Sequence, residues 1–226
     1  MQILLKDLLK EAEAAKAAKV NPVAPANPEK PDNASDDTTT ATTTDSPLKV
    51  QIYCDMDGVL ANLDKGFKAI SGGYSPENFK DKFGGDKKAA QKKFWELISR
   101  TPNFWLNLEP MPDAHVLWKY LTNNFTDPAP VILTAGQGPN IKQQKTDWAH
   151  KHFGPDVQVI VASSGVKKPE YIINQPLQNG QYVTHVLIDD TQKNINAWDN
   201  EPQHRIAIHH KNSADSIKSL QPFITK

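Results

Sequence analysis

The sequence predicts an α/β fold built on a parallel sheet, because short apolar strands alternate with helical stretches and the strands end in polar residues. The first strand begins at Val50 and leads into two aspartates. The second begins at Val131 and ends in a threonine, and the third begins at His185 and ends in two further aspartates. The carboxyl ends of parallel strands meet at one sheet edge, where open α/β folds bind ligands. We therefore expect these polar groups to form one site.

The first strand is followed by Asp55 and Asp57, with one residue between them. An extended backbone would place both carboxylates on the same side, and Gly58 lets the chain leave the sheet directly afterwards. Two like charges this close are unfavourable unless a metal ion neutralises them or one carboxyl keeps a proton. The pattern is typical of a phosphoryl-transfer nucleophile beside a divalent cation, although an isolated Asp-x-Asp-Gly also occurs as a solvated turn.

The second and third strands end in residue types that bind phosphate and metal ions. The second runs into Thr134, Ala135 and Gly136, where a hydroxyl followed by a tight turn suits a phosphate oxygen. The third runs into Asp189 and Asp190. With Asp55 and Asp57 after the first strand and a helical stretch at Lys145, these strand ends make four features, which together indicate a phosphate site more strongly than any one of them alone.

Lysines that could bind phosphate occur at two places. Lys145 opens a predicted helix that ends at Gly154, a glycine in the C-cap position. Lys167 and Lys168 follow another predicted strand, Val157 to Val161, and also reach the carboxyl edge of the sheet. The residues themselves leave open which lysine binds the phosphate.

Seventy residues separate Leu60 from Val131, many more than a strand-to-helix connection needs. Aromatic residues at helical spacing predict three helical stretches there, the third starting near Lys87, with glycine pairs as breaks. We expect this insertion, about residues 61–110, to form a small helical cap over the first motif. The helix that returns to the main domain is predicted to begin at Met111 to Ala114.

The first 48 residues differ in composition from the rest of the chain. Residues 1–20 predict an amphipathic helix with an apolar face made of Ile3, Leu4, Leu5, Leu8 and Leu9. Residues 21–48 are rich in Pro, Ala, Asn, Asp and Thr and predict a disordered linker, since they offer little apolar surface to offset the entropy of ordering. Residues 49–226 are predicted to form the main domain.

Charge and cysteine content restrict the function classes. The chain carries 26 basic and 26 acidic residues, and no basic stripe indicates duplex nucleic acid binding. The single cysteine, Cys54, cannot form an intramolecular disulfide and is predicted to be buried in the first strand. No apolar run approaches membrane-spanning length, and residues 1–20 resemble neither a secretion signal nor a transit peptide. We therefore expect a cytoplasmic protein without membrane contact.

At these motifs the sequence resembles the haloacid dehalogenase-like (HAD) phosphohydrolases. The residues from Asp55 to Leu60 match the first HAD motif, Thr134 matches the second, a lysine the third, and Asp189-Asp190 the fourth. The resemblance is closest to the 5'(3')-deoxyribonucleotidases and their phage relatives, over about Lys49 to His210. The runs that carry it are C-D-M-D-G-V-L-A-N, P-N-F-W-L-N-L-E-P-M-P-D-A, K-x-x-W-x-x-K-H-F-G-P and L-I-D-D.

The resemblance implies a Rossmann-like three-layer HAD core, with the inserted cap and with Mg²⁺ as cofactor. It implies that Asp55 is the nucleophile and a metal ligand. Asp57 would be the general acid and base, and its backbone carbonyl would also bind the metal. Asp190 is implied as the direct metal ligand of the fourth motif, with Asp189 ligating or orienting beside it.

Substrate contacts are also implied by the resemblance. The phosphate-binding residues would be Thr134, Ala135, Lys145 and Lys168. Phe104 and Trp105 would stack on the nucleotide base, as cap aromatics do in the resembled nucleotidases. Leu63 departs from the family pattern, in which phenylalanine is frequent at that position, and this weakens the expectation of tight pyrimidine stacking.

Three function classes remain open from the sequence. The leading one is a Mg²⁺-dependent phosphomonoesterase that hydrolyses (deoxy)nucleoside monophosphates through an aspartyl-phosphate. A nucleic-acid 3'-end phosphatase uses the same chemistry, but a cap of this length would obstruct a polymer end. The third class is a non-catalytic interaction protein that keeps a HAD scaffold. The clustered carboxylates argue against it, because a scaffold does not need them. The sequence also leaves open whether the chain forms a homodimer and whether the helix predicted for residues 1–20 binds an unknown protein partner.

Overall fold

The structure is a computed structural model that describes residues 49–138, 140–163, 166–172, 183–199 and 204–224. The helix predicted for residues 1–20 and the linker predicted for residues 21–48 lie outside these described residues. None of the helices within the described ranges combines the length and the apolar character that a membrane span requires.

A sheet of five parallel strands forms the centre of the fold. The strands are β1 Val50–Cys54, β2 Val131–Ala135, β3 Gln158–Ala162, β4 Thr184–Asp189 and β5 Arg205–His209. Their spatial order is β3-β2-β1-β4-β5, so β1 lies between β2 and β4. The predicted α/β fold with a parallel sheet is confirmed, and the strands predicted to carry the site are direct neighbours.

Six α-helices accompany the sheet within the described ranges: α1 Leu63–Ser71, α2 Lys87–Arg100, α3 Ala114–Asn124, α4 Ile141–Phe153, α5 Gln192–Asp199 and α6 Ser213–Leu220. Shorter 3-10 helices cover Phe79–Phe83, Lys168–Tyr171 and Gln221–Phe223. Three helices begin after an N-cap residue whose side chain accepts a hydrogen bond from a backbone N–H group of the first turn. These N-cap residues are Asn62 for α1, Asp86 for α2 and Asn212 for α6.

Apolar side chains cover both faces of the sheet. On one face Tyr53 of β1 packs against Trp198 of α5, with ring centroids 5.3 Å apart. On the other face Ile52 and Ile188 are fully buried in a larger cluster that includes Trp148 of α4. Because side chains alternate along a strand, both faces need a helical cover. The sheet is thus the middle of three layers, as predicted.

The long connection between β1 and β2 forms the predicted helical insertion. Phe67 of α1 contacts Phe79 and Phe94, with ring centroids 5.0 and 4.4 Å away. Phe79 also meets Phe83 edge to face at 5.3 Å. Phe67 and Phe79 are buried, so these rings form a small aromatic core that joins α1, the 3-10 helix and α2. The boundaries of the cap, about residues 61–110, stay a prediction.

We expect Phe67→Ala to lower the free energy of unfolding by about 3–5 kcal/mol, because loss of the fully buried ring leaves a cavity beside the rings of Phe79 and Phe94. Chemical denaturation of the full chain measures this loss. Val116→Ala is the control, since the Val116 side chain is 60% exposed and should change stability little. A loss below about 1 kcal/mol for Phe67→Ala would contradict the aromatic core.

Candidate active site

Asp55 stands at the centre of the sheet edge, directly after β1. Cys54 pairs in register with Ile188 of β4, and the Asp55 N–H donates to the Ile188 carbonyl oxygen at 2.8 Å. The Asp55 side chain is buried, and its Oδ1 accepts hydrogen bonds from the Met56 N–H and from Lys168 Nζ, both at 2.8 Å. These bonds fix the carboxylate, while no described residue donates to its Oδ2.

Asp57 lies in the turn that follows β1, and its carboxylate forms an ion pair with Lys145 through Oδ2. Its other oxygen, Oδ1, is buried without a hydrogen-bond partner among the described residues. Burial raises the pKa of Asp57 above its usual range, and the nearby Asp55 charge adds to this while Lys145 opposes it. A carboxyl of this kind can carry and release a proton.

Lys145 lies on α4 and reaches the end of β2. Its Nζ donates to Thr134 Oγ1 at 2.7 Å and to the Ala135 carbonyl oxygen at 2.9 Å, in addition to the Asp57 ion pair. The side chain is fully buried. The predicted helix start at Lys145 is wrong: α4 begins at Ile141, because the backbone hydrogen bonds begin with Gln144 N–H donating to Asn140. The predicted end at Gly154 is confirmed.

Lys168 forms the second ion-pair centre of the site. Its Nζ lies 2.6 Å from Asp189 Oδ2 and 2.8 Å from Asp55 Oδ1. Burial acts to lower the pKa of Lys168, but the two carboxylates outweigh it and raise that pKa. The neighbouring Lys167 has an exposed side chain, so the structure brings Lys145 and Lys168 into the cluster and leaves Lys167 outside it.

Asp189 is enclosed at the end of β4. Besides Lys168, it accepts hydrogen bonds from the Thr191 N–H at 2.8 Å and from Asn194 Nδ2 at 3.1 and 3.0 Å. Burial and the Asp55 charge raise the pKa of Asp189 to about 7, against the opposing effect of Lys168. This carboxylate is held in one orientation by groups on three sides.

Asp190 lies across from the β1 turn. A Cβ atom on Gly58 would lie only 2.1 Å from Asp190 Oδ2, so the carboxylate fits against the glycine backbone. Partial burial and then the Asp55 charge raise the pKa of Asp190 to about 6. Asp55, Asp189 and Asp190 can each offer one oxygen within 4.8 Å of the others.

This carboxylate cluster fits a divalent cation. Asp55, Asp189 and Asp190 contribute three carboxylates to the cluster, and among the described residues one lysine, Lys168, pairs with them, through Asp55 and Asp189. The excess of negative charge matches the charge of one divalent ion. Oxygen-only donors favour Mg²⁺ over softer metals.

Phe104 and Trp105 are both buried, with 5% and 3% of their surface exposed. The Trp105 ring centroid lies 4.2 Å from Lys145 Nζ, and the Phe104 ring meets the Trp105 ring edge to face at 5.1 Å. Phe104 also packs toward Gly66 of α1. Trp105 therefore borders the site through a lysine, and base stacking by these rings stays a prediction.

The structure also adds groups that the sequence analysis did not place in the site. His209 Nε2 lies 2.9 Å from the Asp190 carbonyl oxygen, which can only accept, so this nitrogen is the donor. The next N–H, of His210, donates to the Asp189 carbonyl oxygen at 2.8 Å. Neither histidine receives a role from the sequence, because no local pattern shows that β5 lies beside β4.

Comparisons with known proteins give matches among solved structures only. No protein family model and no curated protein matches the sequence. A hydrolase from Streptococcus pneumoniae TIGR4 is similar over 76% of this chain and 98% of its own, with 11% identity and a TM-score of 0.46. A haloacid dehalogenase-like family hydrolase from Xanthomonas campestris is similar over 80% of this chain and 94% of its own, with 11% identity and a TM-score of 0.44.

A third similar structure is a HAD-hydrolase from Bacillus subtilis that was solved bound to magnesium. The similarity covers 77% of this chain and 99% of that one, with 12% identity and a TM-score of 0.42. Likenesses this distant carry no argument about activity. The arrangement of Asp55, Asp57, Thr134 and the two buried lysines at one sheet edge therefore has to be interpreted by its own chemistry.

Proposed function

We propose that this chain is a Mg²⁺-dependent phosphohydrolase of the HAD type that acts on nucleoside monophosphates. The observation that carries the proposal is the pairing of acids and lysines at the sheet edge. Lys168 joins Asp55 to Asp189, and Lys145 joins Asp57 to Thr134. A nucleophile, a proton donor and cationic phosphate ligands are thus within reach of one phosphoryl group.

The proposed reaction has two displacements at phosphorus. An Asp55 oxygen attacks phosphorus and the bond to the ester oxygen breaks, while Asp57 gives its proton to the leaving alcohol. Water then attacks the aspartyl-phosphate, Asp57 takes a proton from it, and inorganic phosphate leaves with Asp55 restored. The raised pKa of Asp57 supports this acid and base role, because the group must hold a proton before the first step.

Lys168 and Thr134 would stabilise the phosphoryl oxygens directly, whereas Lys145, whose three N–H donors go to Asp57, Thr134 and the Ala135 carbonyl oxygen, would act through its positive charge. Their polar atoms are buried and already oriented by partners in the protein, so little rearrangement is required as charge shifts during transfer. A Mg²⁺ ion held by Asp55, Asp190 and the Asp57 carbonyl, with Asp189 beside it, would neutralise charge on the phosphate.

The nucleotide part of the proposal rests on the motif resemblance over Lys49 to His210. An open groove of about 550 Å³ lies beside the end of β2, where Gly136 lines it, but none of the aspartates or lysines of the cluster belongs to its lining. The groove is also lined by Gln137, Ile141, Lys142 and Ser163.

Removal of divalent cations should abolish activity, because the excess carboxylate charge would then repel the phosphate dianion. We expect EDTA to lower kcat/KM for a nucleoside monophosphate at least about a hundredfold, with recovery on addition of Mg²⁺. The measurement is phosphate release from a panel of nucleoside 5'- and 3'-monophosphates and from a 3'-phosphorylated oligonucleotide.

The panel also separates the alternatives. Preferred hydrolysis of the oligonucleotide would replace the nucleotidase proposal by a 3'-end phosphatase. Absence of release from every phosphate ester, in the presence of Mg²⁺, would leave the chain as a non-catalytic protein. Activity that survives complete chelation would contradict the metal part of the proposal.

A further inference from the structure

We propose that Trp105 is a positioning residue that holds the Lys145 ammonium group on Asp57 and Thr134. The proposal rests on the phosphohydrolase function, in which Lys145 stabilises the transferring phosphoryl group. It assigns Trp105 a role different from base stacking. The observation behind it is the indole ring lying over Lys145 Nζ, with 4.2 Å between the nitrogen and the ring centroid.

The surroundings of Lys145 explain why an aromatic ring is needed there. An ammonium group has three N–H donors, and Lys145 directs its hydrogen bonds to the Asp57 carboxylate, to Thr134 Oγ1 and to the Ala135 carbonyl oxygen. The side chain has no exposed surface, so water does not solvate the charge. The indole face attracts a cation without requiring a further N–H donor, and it lies over Lys145 Nζ, where it adds to the three oxygen partners.

Trp105 is itself fixed to the helix that carries Lys145. Its backbone N–H donates to Gln144 Oε1 of α4 at 3.2 Å. Three residues later, the Leu108 carbonyl oxygen accepts a hydrogen bond from Trp148 Nε1, also of α4, at 2.7 Å. The segment after α2 is therefore attached to α4 on both sides of Lys145, and these two bonds hold the Trp105 backbone beside the lysine.

The same geometry weighs against Trp105 as a base platform. Trp105 is only 3% exposed, and the ring face that lies over Lys145 is not available to a nucleotide base. Loss of the ring would open a space beside the ammonium group and admit water. Lys145 could then leave Asp57 and Thr134, which would impair the chemical step for every phosphate ester regardless of its base.

The kinetic test compares Trp105→Phe, which keeps an aromatic face, with Trp105→Leu and Trp105→Ala, which do not. We expect Leu and Ala to lower kcat at least tenfold on a nucleoside monophosphate and on a small aryl phosphate alike, while Phe retains most of kcat. A rise in KM confined to the nucleotide would overturn the proposal in favour of base stacking. Equal kcat for Phe and Leu would overturn it in favour of simple volume filling.

A second readout does not require activity. We would treat the full-length protein with an amine-reactive acylating reagent and follow modification of Lys145 by peptide mass spectrometry. Lys145 should be protected in the wild type and in Trp105→Phe, and should react at least several-fold faster in Trp105→Leu and Trp105→Ala. Unchanged protection in the Leu and Ala variants would overturn the proposal.

Trp118→Leu is the matched control for the labelling. Trp118 is also buried, at 5% exposure, but it packs on Phe153 at the far end of α4, with ring centroids 5.2 Å apart. Trp118→Leu should leave Lys145 protected from the reagent. Fast labelling of Lys145 in this variant would contradict the proposal, because it would mean that loss of any buried tryptophan near α4 exposes the lysine. If the wild type hydrolyses no phosphate ester, the proposed function fails, but the labelling still decides whether Trp105 holds Lys145.

Discussion

Asp55→Asn should abolish phosphate release while the fold stays intact. Asparagine has nearly the same volume and keeps an oxygen that can accept the Met56 N–H bond, but it cannot act as the attacking carboxylate. We expect kcat to fall at least about a thousandfold, as for other enzymes that lose their nucleophile. Steady-state kinetics on the preferred nucleotide measures the loss, and circular dichroism with a thermal midpoint checks the fold.

The control for Asp55→Asn is Asp64→Asn. Asp64 pairs with Lys68 on the surface of α1, and its side chain is 53% exposed, so its loss should change kcat by less than about twofold. Retention of more than about one per cent of activity in Asp55→Asn would mean that another group attacks phosphorus.

Asp57→Asn extends this test to the proposed intermediate. Without the proton acceptor at this position, hydrolysis of the aspartyl-phosphate should slow, and a phosphorylated Asp55 peptide should become detectable by mass spectrometry. If no adduct forms on Asp55 in any variant, nor with a beryllofluoride mimic, direct attack of water on the substrate would become the better mechanism.

The strand ends were the part of the site that the sequence could predict. An apolar run followed by Asp55, Thr134 or Asp189 indicates both a strand and the polar group at its end, and parallel pairing brings such ends together. The sheet order β3-β2-β1-β4-β5 then makes these three strands neighbours. This information is local in the chain, which is why periodicity was sufficient for it.

The lysines and histidines of the site depend on tertiary packing that a local pattern does not contain. Lys168 reaches Asp55 because the 3-10 helix Lys168–Tyr171 packs against β3 and α5 with the Lys168 side chain buried, whereas the adjacent Lys167 stays exposed. His209 contacts the Asp190 carbonyl because β5 pairs with β4. Neither neighbour relation follows from sequence spacing.

Gly58→Ala should separate Asp190 from the rest of the carboxylate cluster. The new Cβ would lie 2.1 Å from Asp190 Oδ2, too close for both atoms to keep their positions, and Gly58 has φ +79°, where alanine is strained. Displacement of Asp190 removes an oxygen from the proposed metal site. We expect the Mg²⁺ concentration for half-maximal activity to rise about 10–100-fold, a range typical when groups that position a metal site are altered.

Gly73→Ala distinguishes this displacement from backbone strain alone. Gly73 has φ +92°, so alanine is also strained there, but a Cβ would meet no atom within 4 Å. Both variants should therefore lose about 1 kcal/mol or more of stability through the backbone. Only Gly58→Ala should need more Mg²⁺, as measured by titrating the ion against phosphate release. An equal Mg²⁺ requirement in Gly58→Ala and the wild type would mean that Asp190 Oδ2 does not serve the metal, because the substitution cannot leave that oxygen in its place.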